Sequence, residues 1–75
     1  MVVAFILINS EINADDELLK DLKKLPEVEF VYLVFGIYDL IVKINAKDMD
    51  DLKNRILKNF RVINNIRSSM TMIAI

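Results

Sequence analysis

The chain opens on an apolar run, Val2-Val3-Ala4-Phe5-Ile6-Leu7-Ile8, with hydrophobic residues at both odd and even positions. Side chains alternate between faces along a strand, so this run reads as a central strand covered on two sides. Asn9 to Ala14 is a polar connection. From Asp15 to Leu25 the period lengthens, and Leu18, Leu19, Leu22 and Leu25 fall on one helical face. Asn13 is the expected N-cap. Asp15, Asp16 and Glu17 fill the first turn and Lys20, Lys23 and Lys24 come later, the order that the helix dipole favours. Pro26 ends the helix. Val28 to Phe35 and Tyr38 to Ile44 read as strands. Asp48 caps a second helix carrying Met49, Leu52, Ile56 and Phe60 at helical spacing. Arg61 to Asn65 reads as a loop. A last strand, Ser68 to Ile75, alternates Met70, Met72 and Ala74 with Ser69, Thr71, Ile73 and Ile75.

The order β-α-β-β-α-β predicts an α+β, ferredoxin-like fold. Right-handed crossovers put both helices on one face of a four-stranded antiparallel sheet, with strand order 4-1-3-2. The two halves echo each other in element order, without a residue-level repeat. Two helices cover one sheet face only, yet Val3, Phe5 and Leu7 are as apolar as Ala4, Ile6 and Ile8. The same holds for Val31, Leu33 and Phe35 against Phe30, Tyr32 and Val34. A bare apolar face of that size is unusual on a monomer. A two-fold dimer packed sheet to sheet removes it.

Composition narrows the role. At 75 residues the chain is one domain, 1–75, short enough to need reinforcement. Cys and His are both absent, which removes disulfides and the usual soft metal ligands. No metal and no cofactor is expected. No stretch approaches the roughly 18 apolar residues of a membrane helix. Met1 to Ile8 lacks the basic flank and cleavage site of a signal peptide, so a cytoplasmic home without membrane contact is expected. Ten basic residues against eleven acidic, interleaved, make no dense basic face, so direct nucleic-acid binding is not expected.

Catalytic machinery is hard to find. There is no His to shuttle protons and no Cys nucleophile, and Ser10, Ser68 and Ser69 have no evident base. Asp15-Asp16 and Asp50-Asp51 sit at helix starts, where capping explains them. Asp16 with Lys20 and Asp51 with Arg55 have the i,i+4 spacing of solvated pairs. Met49 and Met72 read as core fillers, and Met70 is left open. The exception is Phe35-Gly36-Ile37-Tyr38-Asp39, which holds the only glycine. Gly-x between two strands matches a tight type II′ hairpin turn, and a phenol and a carboxylate follow at once. The last strand adds the hydroxyls of Ser69 and Thr71 on one face. A plain turn and two ordinary strand residues explain these groups equally well.

Gly-x-Tyr-Asp between strands two and three, with a hydroxyl-x-Thr pair opening strand four, resembles the ligand-sensing (RAM) domain of the Lrp/AsnC, or feast/famine, regulators. The resemblance runs from Val2 to Ile75. Because the chain opens on the first strand of that domain, it implies a stand-alone or "demi" form without the DNA-binding part. It also implies an amino-acid effector held at contacts between dimers, met by Gly36, Ile37, Tyr38 and Asp39 and by Ser69 and Thr71. Ser69 stands where many relatives have Thr, and Asn64-Asn65 where Pro-Gly is common. Asp39 is the expected partner of the effector's ammonium and the amides near Gly36 and Ile37 of its carboxylate. With no cation evident to meet an acidic side chain, apolar effectors (isoleucine, leucine, valine, methionine) are expected. Partners would be further copies of this chain and full-length Lrp/AsnC regulators. The rival readings are a small cofactor-free dimeric α+β barrel enzyme and a ligand-free oligomerisation module.

Overall fold

A computed structural model describes residues 1–74. Four strands, β1 (Val2–Ser10), β2 (Val28–Leu33), β3 (Leu40–Ala46) and β4 (Ile66–Ala74), form one antiparallel sheet. Their order is β2-β3-β1-β4, which is the expected 4-1-3-2 read from the other edge. Helix α1 (Asp15–Lys23) links β1 to β2. A second helical segment links β3 to β4: α2 (Met49–Asp51), a π-helical stretch (Leu52–Ile56) and α3 (Leu57–Arg61).

The register fixes which residues share a face. Ala4, Ile6 and Ile8 lie opposite Ile44, Val42 and Leu40 on β3 and opposite Ile73, Thr71 and Ser69 on β4. This face carries the core, where Leu18 and Leu22 of α1 and Leu52, Ile56 and Phe60 of the second segment pack on the strands. Burying such side chains stabilises the fold by about 1.5–3 kcal/mol each. Leu52, Ile56 and Phe60 are spaced by four, and an α-helix drifts about 40° over four residues. The wider π turn winds that drift back and keeps all three inward.

The other face is uncovered. Phe5 and Leu7 lie opposite Met72 and Met70 on β4, and Leu7 and Phe5 lie opposite Ile41 and Lys43 on β3. Phe30 and Tyr32 stack at 4.6 Å beside them. Met70, Met72 and Tyr32 are 48%, 46% and 59% exposed, so Met72 lies on this open face and is no core filler of the single chain. Met49 is likewise exposed.

Several boundaries differ from expectation. Asn13 does not cap α1. Its backbone is left-handed (φ 62°), inside a turn closed by the Ala14 N–H on the Glu11 carbonyl (3.0 Å), and Ala14 takes the cap position. The chain must reverse sharply out of β1, and Asn tolerates the positive φ this needs. Asp48 does cap, its Oδ1 accepting from the Asp51 N–H at 2.8 Å. Asp51 pairs with Arg55 through two hydrogen bonds, as the spacing predicts. The α1 helix stops at Lys23, and β4 starts at Ile66, two residues early. The expectation for Ile75 lies outside the described residues.

Candidate functional site

The link from β2 to β3 is longer than a two-residue type II′ turn. Strand β2 ends at Leu33, and β3 starts at Leu40. The Val34 N–H donates to the Asp39 carbonyl (2.9 Å), which leaves four residues, Phe35 to Tyr38, as the loop tip. Gly36 has φ 145°, a conformation that L side chains avoid. A Cβ there would meet nothing within 4 Å, so the backbone angle, not crowding, calls for glycine. Phe35 and Ile37 flank it almost fully exposed, at 107% and 87%.

Asp39 is the anchor of this loop. Its N–H donates to the Ile8 carbonyl (2.9 Å), and its Oδ2 accepts from the Ser10 N–H (2.9 Å) and the Ser10 hydroxyl (3.3 Å). These bonds to β1 explain why the β2–β3 link opens out: Asp39 is drawn onto the end of β1. One carboxylate oxygen is thus engaged, and Oδ1 has no hydrogen-bond partner among the described residues. Around it lies a shallow recess of Ser10, Glu11, Ile12, Asn13, Asp15, Asp39 and Arg67, with three carboxylates to one guanidinium. Such a field favours a cationic group. Tyr38 reaches the other way, its hydroxyl 3.8 Å from the Met70 Sδ on the open sheet face.

Ser69 and Thr71 lie elsewhere. They share the helix-side face of β4 and line a recess of about 240 Å³ between β4 and α3 with Ile6, Leu57, Phe60, Arg61, Ile63 and Ile66. No residue of the 35–39 loop lines it. The six candidate residues therefore form two groups in one chain, Gly36 to Asp39 and Ser69 with Thr71. The turn before β4 holds a left-handed residue, Asn65 at φ 75°. Its carbonyl accepts from the Glu11 N–H (2.8 Å), tying this turn to the end of β1.

Two residues escaped sequence reasoning. Ser10 continues the inward series Ala4, Ile6, Ile8, and a hydroxyl at the next core position was a signal for a buried polar contact. Arg61, expected in a loop, is the last residue of α3 and lines the Ser69–Thr71 recess. The shifted acids lie outside both groups. Hydrogen bonds from Asn45 and Lys43 hold Glu29 below the ordinary carboxylate range, and Arg55 and the Lys47 N–H do the same for Asp51.

The family model for the Lrp/AsnC ligand binding domain matches residues 3–75. The chain belongs to the Lrp/AsnC family. An HTH-type transcriptional regulator of Pyrococcus abyssi is 35% identical over 72 residues, covering 96% of this chain and 46% of that protein. The chain thus spans about half the length of that curated relative. Among solved structures, FFRP-DM1 is 40% identical with a TM-score of 0.94, and each chain covers 100% of the other. A Neisseria meningitidis transcriptional regulator in complex with L-Met superposes with a TM-score of 0.86 over 99% of this chain and 49% of its own. At 17% identity that likeness shows the fold alone.

Proposed function

We propose that this Lrp/AsnC domain is an amino-acid sensor that self-associates, binds no DNA itself and regulates transcription through full-length regulators of its family. The supporting observation is the anchored loop. Asp39 is fixed by Ser10, with its other oxygen unpaired among the described residues, beside a glycine at positive φ. That pairing offers a carboxylate for an effector's ammonium and, at the Gly36 and Ile37 amides, donors for its carboxylate. Ser69 and Thr71 are the further contacts. Because they lie apart from the loop in one chain, an effector touching both groups sits where two copies meet. The bare sheet face supports a sheet-to-sheet dimer as the first unit, with dimers joining into larger closed assemblies.

The effector is apolar: isoleucine, leucine, valine or methionine. Supporting this, Phe35 and Ile37 stand exposed on the loop and can enclose an aliphatic side chain. A sensing role without catalysis fits a chain lacking His and Cys. The test is Asp39→Asn, near-isosteric but uncharged. Effector affinity measured by calorimetry should fall roughly tenfold or more, the worth of a hydrogen bond to a charged group. Unchanged affinity in the folded variant refutes the assignment of Asp39.

A further inference from the structure

The open sheet face ends at an oxidisable edge. Met70 and Met72 stand two residues apart on β4, so both lie on that face, opposite Leu7 and Phe5 of β1. Strand β4 is an edge of the sheet, so the two thioethers have a neighbouring strand on one side only, and both are about half exposed. The chain has no cysteine, which leaves its four methionines as its only sulfur groups. None of the four belongs to the buried core: Met1 precedes β1, and Met49 opens α2. Methionine packs adaptably on an opposing surface, and oxidation converts it into a polar sulfoxide. A thioether is a weak acceptor. On Met70 it already faces a donor, the Tyr38 hydroxyl at 3.8 Å, whereas Met72 has no side-chain hydrogen bond among the described residues.

We propose that Met70 and Met72 form a peroxide-responsive modification site, whose oxidation turns this face from apolar to polar and separates the sheet-to-sheet dimer into folded single chains. The sulfur lone pair attacks one oxygen of hydrogen peroxide, and the S–O bond forms as the O–O bond breaks. Sulfur is oxidised to the sulfoxide and the peroxide is reduced to water, the proton of the transferred hydroxyl going to the departing hydroxide. On a single chain, water solvates the new oxygens, and the Tyr38 hydroxyl is in reach to donate to the one on Met70. Packed between two apolar sheets, the Met72 oxygen loses its water and gains no donor, which weakens the dimer. Because no methionine lies in the core, the fold is spared. The dimer covers both sulfurs, so oxidation runs through the dissociated chain. The proposal rests on the sheet-to-sheet dimer proposed above and adds its control; it does not depend on the effector.

The experiment treats wild type and the double variant Met70→Leu, Met72→Leu with hydrogen peroxide. Peptide mass spectrometry reads oxygen added at each methionine, and light scattering reads assembly. Leucine for methionine conserves volume, and far-UV spectra check that both proteins stay folded. Untreated wild type should be a dimer or larger; a wild-type monomer removes the dimer reading and the proposal with it. In treated wild type the dimer dissociation constant should rise roughly a hundredfold or more with the far-UV spectrum unchanged. Methionine sulfoxide reductases should restore the dimer. Met70 and Met72 should oxidise more slowly as protein concentration rises, while Met49 keeps one rate. The double variant should stay assembled although Met1 and Met49 gain oxygen. Wild type that stays assembled with Met70 and Met72 fully oxidised overturns the proposal and leaves the dimer standing. Equal dissociation of the double variant, or loss of the folded spectrum on oxidation, overturns it as well.

Discussion

Truncating Asp39 separates two roles, because the carboxylate that accepts from Ser10 is also the one we propose is offered to a ligand. In Asp39→Ala the Ser10 N–H and hydroxyl lose their acceptor, and Ser10 is only 7% exposed. Hydrogen bonds to charged groups are worth about 1.5–3 kcal/mol, and a buried donor left unpaired costs about 1–3 kcal/mol. These describe one loss from two sides and are not additive, so the expected destabilisation is about 2–3 kcal/mol. Asp39→Asn keeps an acceptor oxygen facing Ser10 and loses only charge assistance, a cost of about 1 kcal/mol. For a domain of this size 1 kcal/mol moves the melting midpoint by about 4–8 °C. Urea unfolding at one fixed protein concentration is the assay, since the proposed self-association would make stability depend on concentration. An Asp39→Ala midpoint equal to that of Asp39→Asn would show that the contact with Ser10 carries no stability.

Leu7→Lys, in the middle of the open sheet face, should yield a folded monomer by light scattering where wild type is a dimer or larger; a stable wild-type monomer refutes the dimer outright. Gly36→Ala should cost about 1–3 kcal/mol from backbone strain alone, since its Cβ has free space, and a neutral effect by urea unfolding contradicts the positive-φ account. Ile56→Ala should destabilise by about 2–5 kcal/mol, because the side chain is fully buried beneath the π stretch. Glu29 and Asp51 are held low in the folded state, so their contribution is present above the ordinary carboxylate pKa of about 4 and is lost as pH falls through their lowered values. Glu29→Gln and Asp51→Asn should therefore flatten the acid limb of a stability–pH curve and leave its neutral slope unchanged.

Element types, their order and the sheet topology were all legible in the spacing of apolar residues. The repeats at Leu18–Leu22 and Leu52–Ile56–Phe60 are helical, and the short, β-branched, doubly apolar run Val2 to Ile8 reads as a central strand. Local turn geometry was less so. Gly36 marked a special backbone, but nothing local shows that Asp39 bonds to Ser10, 29 residues away, and that bond sets the loop length. Asn13 carries the signature of a helix cap and of a left-handed turn residue alike, and the reversal out of β1 decides between them. The spacing of Ser69 and Thr71 places them on one face of β4, as the register shows. Their separation from the Gly36 loop depends on which sheet face the helices cover, and so does the place of Arg61 beside them. Neither follows from spacing within one strand.

Calorimetric titration of the wild-type protein with each of the twenty amino acids tests the effector claim most directly. Saturable binding is expected for at least one of isoleucine, leucine, valine and methionine, with aspartate and glutamate giving none. Absence of binding by all twenty would contradict the account and leave the domain a bare assembly module.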